Sequence, residues 1–398
     1  MKLWFWLVVI ISVLMITSLK ALEIYQQRTG RYPGMTQRFG LNNCKQHPSF
    51  SVSPINIENL NHITPLGRMS DSHVTPTDHQ YWAPKSVKFG VDYTKLPAIY
   101  EIYSLADGII VQAENHTQVY AEGNAPKIND WRLVINYACG VSAIYIHIDK
   151  LSDAVKTQLG TKRGSRNGTT NYDANIPVKA GQIIGKLAEH QFDFSIHDTN
   201  VTLPGLNPKR YENEYWKIHT VDPFDYFADS LKNELLAKVV RQAPPRGGKI
   251  DYDIEGKLAG NWFREGYDSK NIDGRFWDAA MTVAYNVFDP RKIFISIGNF
   301  NGRSHQFAVL GNAPDPKDVG VGQLVKYEVV PFSYMDSNNQ VWGEDRYTPE
   351  VTLVAGEHVE GTILYQLQNK DTLKVEVFVG KKAVDVTGFI SRVQIYRR

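Results

Sequence analysis

Two stretches of this chain alternate polar and apolar residues with a period of two, and both carry groups that could do chemistry. They are Ala143-Ile-Tyr-Ile-His-Ile148 and Gln191-Phe-Asp-Phe-Ser-Ile-His197. That period marks half-buried strands. It puts Tyr145 and His147 on one face, and Gln191, Asp193, Ser195 and His197 opposite the apolar Phe192, Phe194 and Ile196. A third stretch, His73-Val-Thr-Pro-Thr-Asp-His79, adds two imidazoles within a loop rich in Pro, Gly and Ser. A sheet face that gathers polar and ionisable groups is a candidate site. Each residue also has a plainer role open to it: turn-bonding loop histidines at 73 and 79, a salt-bridged carboxylate at 193, a half-buried histidine at 147.

Between the two strands lies Val178-Lys-Ala-Gly-Gln-Ile-Ile-Gly185, a turn in which Gly181 permits a positive φ. Tyr-x-His, this turn, and the short polar strand after it resemble the lysostaphin/LytM-type zinc metallopeptidases. The resemblance runs from about Ile63 to Tyr226. In that family zinc is held by a first His, an Asp after it, and the second His of a His-x-His pair. The resemblance implies zinc, or another divalent metal, on His73, His79 and Asp193, a permuted His/His/Asp set, with His147 as general base or transition-state stabiliser. Gln191 falls where the first His of His-x-His would stand, so a neutral amide replaces a proton-carrying group. Gln191, Tyr145 and His197 are expected to surround the site. His197 lies four residues beyond Asp193, about 13 Å along a strand, and should stand apart from the metal. Lipoyl-type carriers use similar hairpins with a Met beside the modified Lys, but no Met occurs between Met69 and Met281.

The elements that must position these groups read as mainly β. Residues 61–240 form a LytM-like sheet domain. It is preceded by an extended segment, 22–60, and closed by one helix from Asp222 to about Val240, with Asp222 as N-cap and Pro223 at N1. Short paired strands are expected within Ile99–Gln112, a strand at Trp131–Tyr137, and a long exposed loop over Ser152–Asn175. Residues 241–248, rich in Pro and Gly, read as a linker. From 249 to 398 at least seven strand-like runs separated by turn residues predict an antiparallel barrel or sandwich.

A formal net charge of +2 with mixed charges gives no footprint for a nucleic-acid partner. Met1-Lys2 followed by the uncharged run Leu3–Leu19 reads as a signal peptide or a single-helix membrane anchor within residues 1–21. The rest of the chain is then expected outside the cytoplasm, where the two cysteines, Cys44 and Cys139, would pair. Three functions follow: an exported hydrolase acting on a cell-envelope polymer or peptide; a LytM-like module that binds such a polymer or regulates a hydrolase without catalysis; or an extracellular ligand-binding barrel, on the strength of Gly260-Asn-Trp262.

Overall fold

The second of the alternating stretches lies inside the sheet that carries the site. The computed structural model describes residues 48–92, 95–116, 129–166, 169–269 and 276–398. The apolar run Leu3–Leu19, Ala21 and Cys44 lie outside them. Cys139 is not a free thiol. No helix among the described residues is long and apolar enough to cross a membrane.

The first unit is built from β1 (Leu60–Thr64), β2 (Gln80–Pro84), β3 (Tyr100–Tyr103), β4 (Gly108–Asn115), β5 (Trp131–Asn136), β6 (Val141–Ile148), β7 (Lys150–Leu151), β8 (Lys162–Arg166), β9 (Thr169–Val178), β10 (Ile183–Leu187), β11 (Phe192–Asp198) and β12 (Thr220–Val221). Its large sheet has the order β1-β2-β11-β6-β5-β4-β9-β8, with β12 on β11, and a small sheet has the order β3-β10-β7. Phe192, Phe194, Ile196, Tyr145 and Ile148 of the large sheet join Ile102, Ile184 and Leu187 of the small one in a shared core. The turn before β10 has Gly181 at φ 73°. A Cβ at Gly185 would stand 2.5 Å from Ile148 Cγ2 of the large sheet and 2.8 Å from the Lys150 carbonyl oxygen of β7, so only glycine fits where the two sheets approach.

Several expectations change. The loop that carries His73 and His79 is bounded by strands, since β1 and β2 on either side of it pair with each other. The strands within Ile99–Gln112 do not pair together: β3 joins β10, and β4 joins β5 and β9. The long loop after Ser152 is a one-turn helix, Asp153–Lys156, followed by the hairpin β8–β9, because β4 offers β9 a free edge. The closing helix is broken. Asp222 caps only a short turn at Pro223–Tyr226, and the α-helix is Asp229–Leu236. The break follows from backbone bonding: Phe50 donates to the Tyr226 carbonyl and Ala228 donates to the Phe50 carbonyl. Those groups are therefore unavailable to a continuous helix.

The C-terminal unit is a closed antiparallel barrel of β13 (Gly260–Arg264), β14 (Ala280–Tyr285), β15 (Ile293–Phe300), β16 (Arg303–Val309), β17 (Leu324–Val330), β20 (Gly361–Asn369), β21 (Thr372–Val379) and β22 (Gln394–Arg397), with the hairpin of β18 (Phe332–Met335) and β19 (Thr352–Ala355) beside it. The fold is thus mainly β and ends in a barrel, as the turn spacing implied. Trp262, Tyr327, Tyr365 and Tyr396 help fill the interior, which disfavours the reading as a ligand carrier. The two units share apolar clusters, one joining Leu66, Val74, Tyr211 and Ile218 to Phe263 and Ala280. Arg241, in the expected linker, is buried and donates to the carbonyls of Val287, Ala243 and Pro244.

Candidate functional site

On the face of the large sheet away from its core, β11 presents Asp193, Ser195 and His197. Asp193 pairs with Tyr81 of β2 and Ile146 of β6. Tyr145 pairs with Phe194, is fully buried, and packs against that ring with centroids 5.2 Å apart. It therefore lies on the core side, contrary to the expected polar face. Its hydroxyl stands 3.2 Å from that of Tyr137 and donates to the Tyr103 carbonyl.

His147 nevertheless reaches the site, by a β-bulge. Trp131 pairs with Ile148 and Leu133 with Tyr145, so Ile146 and His147 together oppose Arg132. His147 has φ 71°, a value rare for a residue with a side chain. The extra residue returns Ile148 to the core and frees His147 to turn to Asp193. Simple alternation would have placed Tyr145 and His147 together; the structure separates them.

His79 and His147 converge on one carboxylate. His79 Nε2 is 3.4 Å and His147 Nε2 3.3 Å from Asp193 Oδ2. The opposite ring nitrogens are held in the same way. His79 Nδ1 donates to Asp78 Oδ1 at 3.0 Å, and His147 Nδ1 donates to Asp130 Oδ2 at 3.1 Å. Trp216 Nε1 donates to Asp78 Oδ2 at 2.6 Å, and the Tyr81 hydroxyl is 3.2 Å from His79 Nε2. The result is a chain of alternating carboxylates and imidazoles from Asp78 to Asp130. Carboxylates at Nδ1 fix each ring so that Nε2 faces the centre. Asp193 Oδ1 is buried without a hydrogen-bond partner, as is Gln191 Nε2, just before β11.

Burial alone would lower the pKa of His147, but Asp193 and then Asp130 overcome it and hold the ring well above the usual imidazole value. His79 follows the same balance, with burial opposed by Asp193 and Asp78, and is also raised. Burial would raise Asp193, Asp130 and Asp78, yet the histidines beside them bring each below the usual carboxylate value.

His73 is less engaged. Its ring centroid is 5.8 Å from that of His79, at the exposed end of the loop. Burial against its neighbours, and then the charge of His79, push its pKa down. His197 is buried on the same face but turned elsewhere: Nε2 is 2.8 Å from Ser195 Oγ, and Nδ1 is 3.0 Å from the Trp216 carbonyl oxygen. Burial pushes it down to about 4. The structure thus joins His79, Asp193 and His147 directly, sets His73 at the margin, and turns Tyr145 away.

Among the described residues, no group of three or more His, Cys, Asp or Glu forms a metal-holding cluster. The donor set still suits a divalent ion. Donors sharing a zinc at 2.0–2.2 Å lie about 3–4 Å apart, which matches both Asp193 contacts, and the unpartnered Oδ1 leaves the carboxylate with unused capacity. Asp78, Asp130, Tyr81 and Trp216 were missed by the sequence reading. Asp78, adjacent to His79, was the one visible signal. Asp130 depends on the register of β5 against β6, and Trp216 on a chain reversal more than a hundred residues away from Asp78.

No family model matches the chain, and no curated protein does. Among solved structures, a zinc-containing peptidase from Vibrio cholerae is similar at 18% identity, covering 38% of this chain and 37% of that one, with a TM-score of 0.21. The solution structure of lysostaphin is similar at 12% identity, covering 89% of this chain and 92% of that one, with a TM-score of 0.22. Scores this low carry no argument about what the chain does.

Proposed function

We propose that this chain is an exported, divalent-metal-dependent hydrolase of peptidase type, acting on peptide bonds in a cell-envelope polymer. The observation that carries the reading is the convergence of two carboxylate-oriented imidazoles on buried Asp193, whose Oδ1 has no partner. His79 and Asp193 would hold the ion, with His73 closing over it from the loop; zinc fits a His/His/Asp set best. When bound, such an ion supplies Lewis acidity at the scissile carbonyl. With the Asp193 charge that keeps His147 protonated offset by a bound ion, the neutral ring, its Nδ1 held by Asp130, accepts a proton from the attacking water at Nε2 and returns it to the departing amine. Burial and the Asp193 charge keep Tyr81 protonated, so its hydroxyl donates to negative charge developing on the carbonyl oxygen.

Cleavage of a peptide-crosslinked envelope preparation, followed by the appearance of new amino groups, tests the reading. Chelator-sensitive release that is lost in His147→Ala supports it; no release at any metal loading removes it. A second reading, a non-catalytic binding or regulatory module, is favoured by one feature: the imidazoles already spend their Nε2 atoms on Asp193, so the cluster is satisfied without an ion. Retained polymer binding with no cleavage would select it.

A further inference from the structure

A pocket opens beside His73, between the segment Arg210–Lys217 and the first two barrel strands. The sheet unit contributes Arg210, Tyr211 and Lys217; the barrel unit contributes Phe263 of β13 and Trp277, just before β14. Tyr211 meets Phe263 edge-on with centroids 5.7 Å apart. Tyr211 is only 4% exposed, and its buried hydroxyl lies beside the Asn261 side chain, so the ring forms an apolar wall.

The pocket is also positively charged. Lys217 Nζ donates to Thr75 Oγ1 at 3.1 Å and lies 3.8 Å from Glu214 Oε2, so its charge is partly offset. Arg210 sits 6.0 Å over the Phe263 ring, makes no ion pair among the described residues, and has a buried Nε without a partner. One uncompensated guanidinium suits a planar monoanion, which its fork binds with two parallel bonds. The aromatic walls suit the carbon skeleton attached to it.

We propose that this pocket is a substrate subsite recognising a carboxylate-bearing peptide residue, and that the C-terminal barrel serves to build half of it. Its placement beside a scissile bond rests on the hydrolytic reading of the neighbouring cluster; the recognition itself does not. The test is calorimetric binding to the full chain, after chelator treatment, of N-acetyl-dialanine, its C-terminal amide, and methyl phosphate. The acid should bind about tenfold or more tightly than the amide, because a hydrogen-bonded charge is at stake, and more tightly than methyl phosphate. Arg210→Gln should abolish the preference for acid over amide. If Arg210→Gln does not fold, Arg210→Lys, which keeps the charge but loses the fork, should lose most of the preference. Equal binding of acid and amide, methyl phosphate binding as tightly as the acid, or a preference unchanged in a folded Arg210 variant overturns the subsite. A chain that discriminates acid from amide but cleaves nothing keeps the subsite and loses the hydrolase; one that cleaves but does not discriminate does the reverse.

Discussion

Replacing Asp193 with Asn keeps the shape of the central side chain and removes its charge, so it measures what that charge does for both histidines. Asp193 Oδ2 lies 3.3 Å from His147 Nε2 and 3.4 Å from His79 Nε2. An opposite charge at such range moves a pKa by about 1–3 units. In metal-free Asp193→Asn, both imidazoles should therefore titrate about 1–3 units lower than in the parent chain, Asp78 and Asp130 remaining to hold Nδ1. At about 1.36 kcal/mol per unit, that is roughly 1–4 kcal/mol for each ring.

The pH window follows from the directions of the shifts. The histidines are raised, so their contribution to stability is full below the unfolded value near 6.5 and is lost as pH rises through the folded values. Asp193 is lowered, so its contribution is present above the unfolded value near 3.8 and is lost as pH falls through its folded value. The substitution should accordingly cost most between about pH 4 and 6.5, and progressively less in alkali. Histidine-resolved NMR titration and chemical denaturation at pH 5.5 and 9 provide the readouts. Unmoved titrations of His79 and His147, or a larger cost at pH 9, would refute the reasoning.

Three further outcomes are expected. Tyr145→Phe should cost about 1 kcal/mol through the lost link to Tyr137 and Tyr103 and leave metal affinity unchanged, as judged by denaturation and metal titration, since Tyr145 faces the core. His62 and His197 are fully buried with pKa values pushed down to about 4 by burial. Acid should therefore destabilise the metal-free chain progressively from about pH 6.5 down to about 4, by about 3 kcal/mol for each, and His197→Gln should flatten that slope in urea denaturation. A non-reducing digest of protein from an oxidising compartment should contain one Cys44–Cys139 cross-linked peptide, and free thiol at both positions would remove that pairing.

What the sequence made legible was the local part of this design. Period-two alternation located β11 and most of β6, the run of turn residues after Lys249 announced the barrel, and residue type singled out His79, His147 and Asp193. What stayed hidden was set by pairing between distant strands. The bulge at His147 exists only because β5 and β6 register with an extra residue, so alternation grouped Tyr145 with the site. The Phe50 bridge that interrupts the closing helix cannot be seen in the helical spacing of Phe224, Phe227 and Leu231. Asp130 and Trp216 look like ordinary polar and apolar positions until the sheet brings them to the histidines. The hairpin β8–β9 reads as a loop from sequence because its Asn, Thr and Gly content masks the edge pairing with β4.

The central claim is that Asp193 and the histidines around it form a metal-dependent hydrolytic centre. Elemental analysis of the purified full chain beside Asp193→Ala tests it most directly. The parent chain should hold a single divalent ion tightly, zinc by preference, and a folded Asp193→Ala should hold none. A parent chain with no bound metal above the level of its Asp193→Ala variant, after dialysis against zinc, would contradict it.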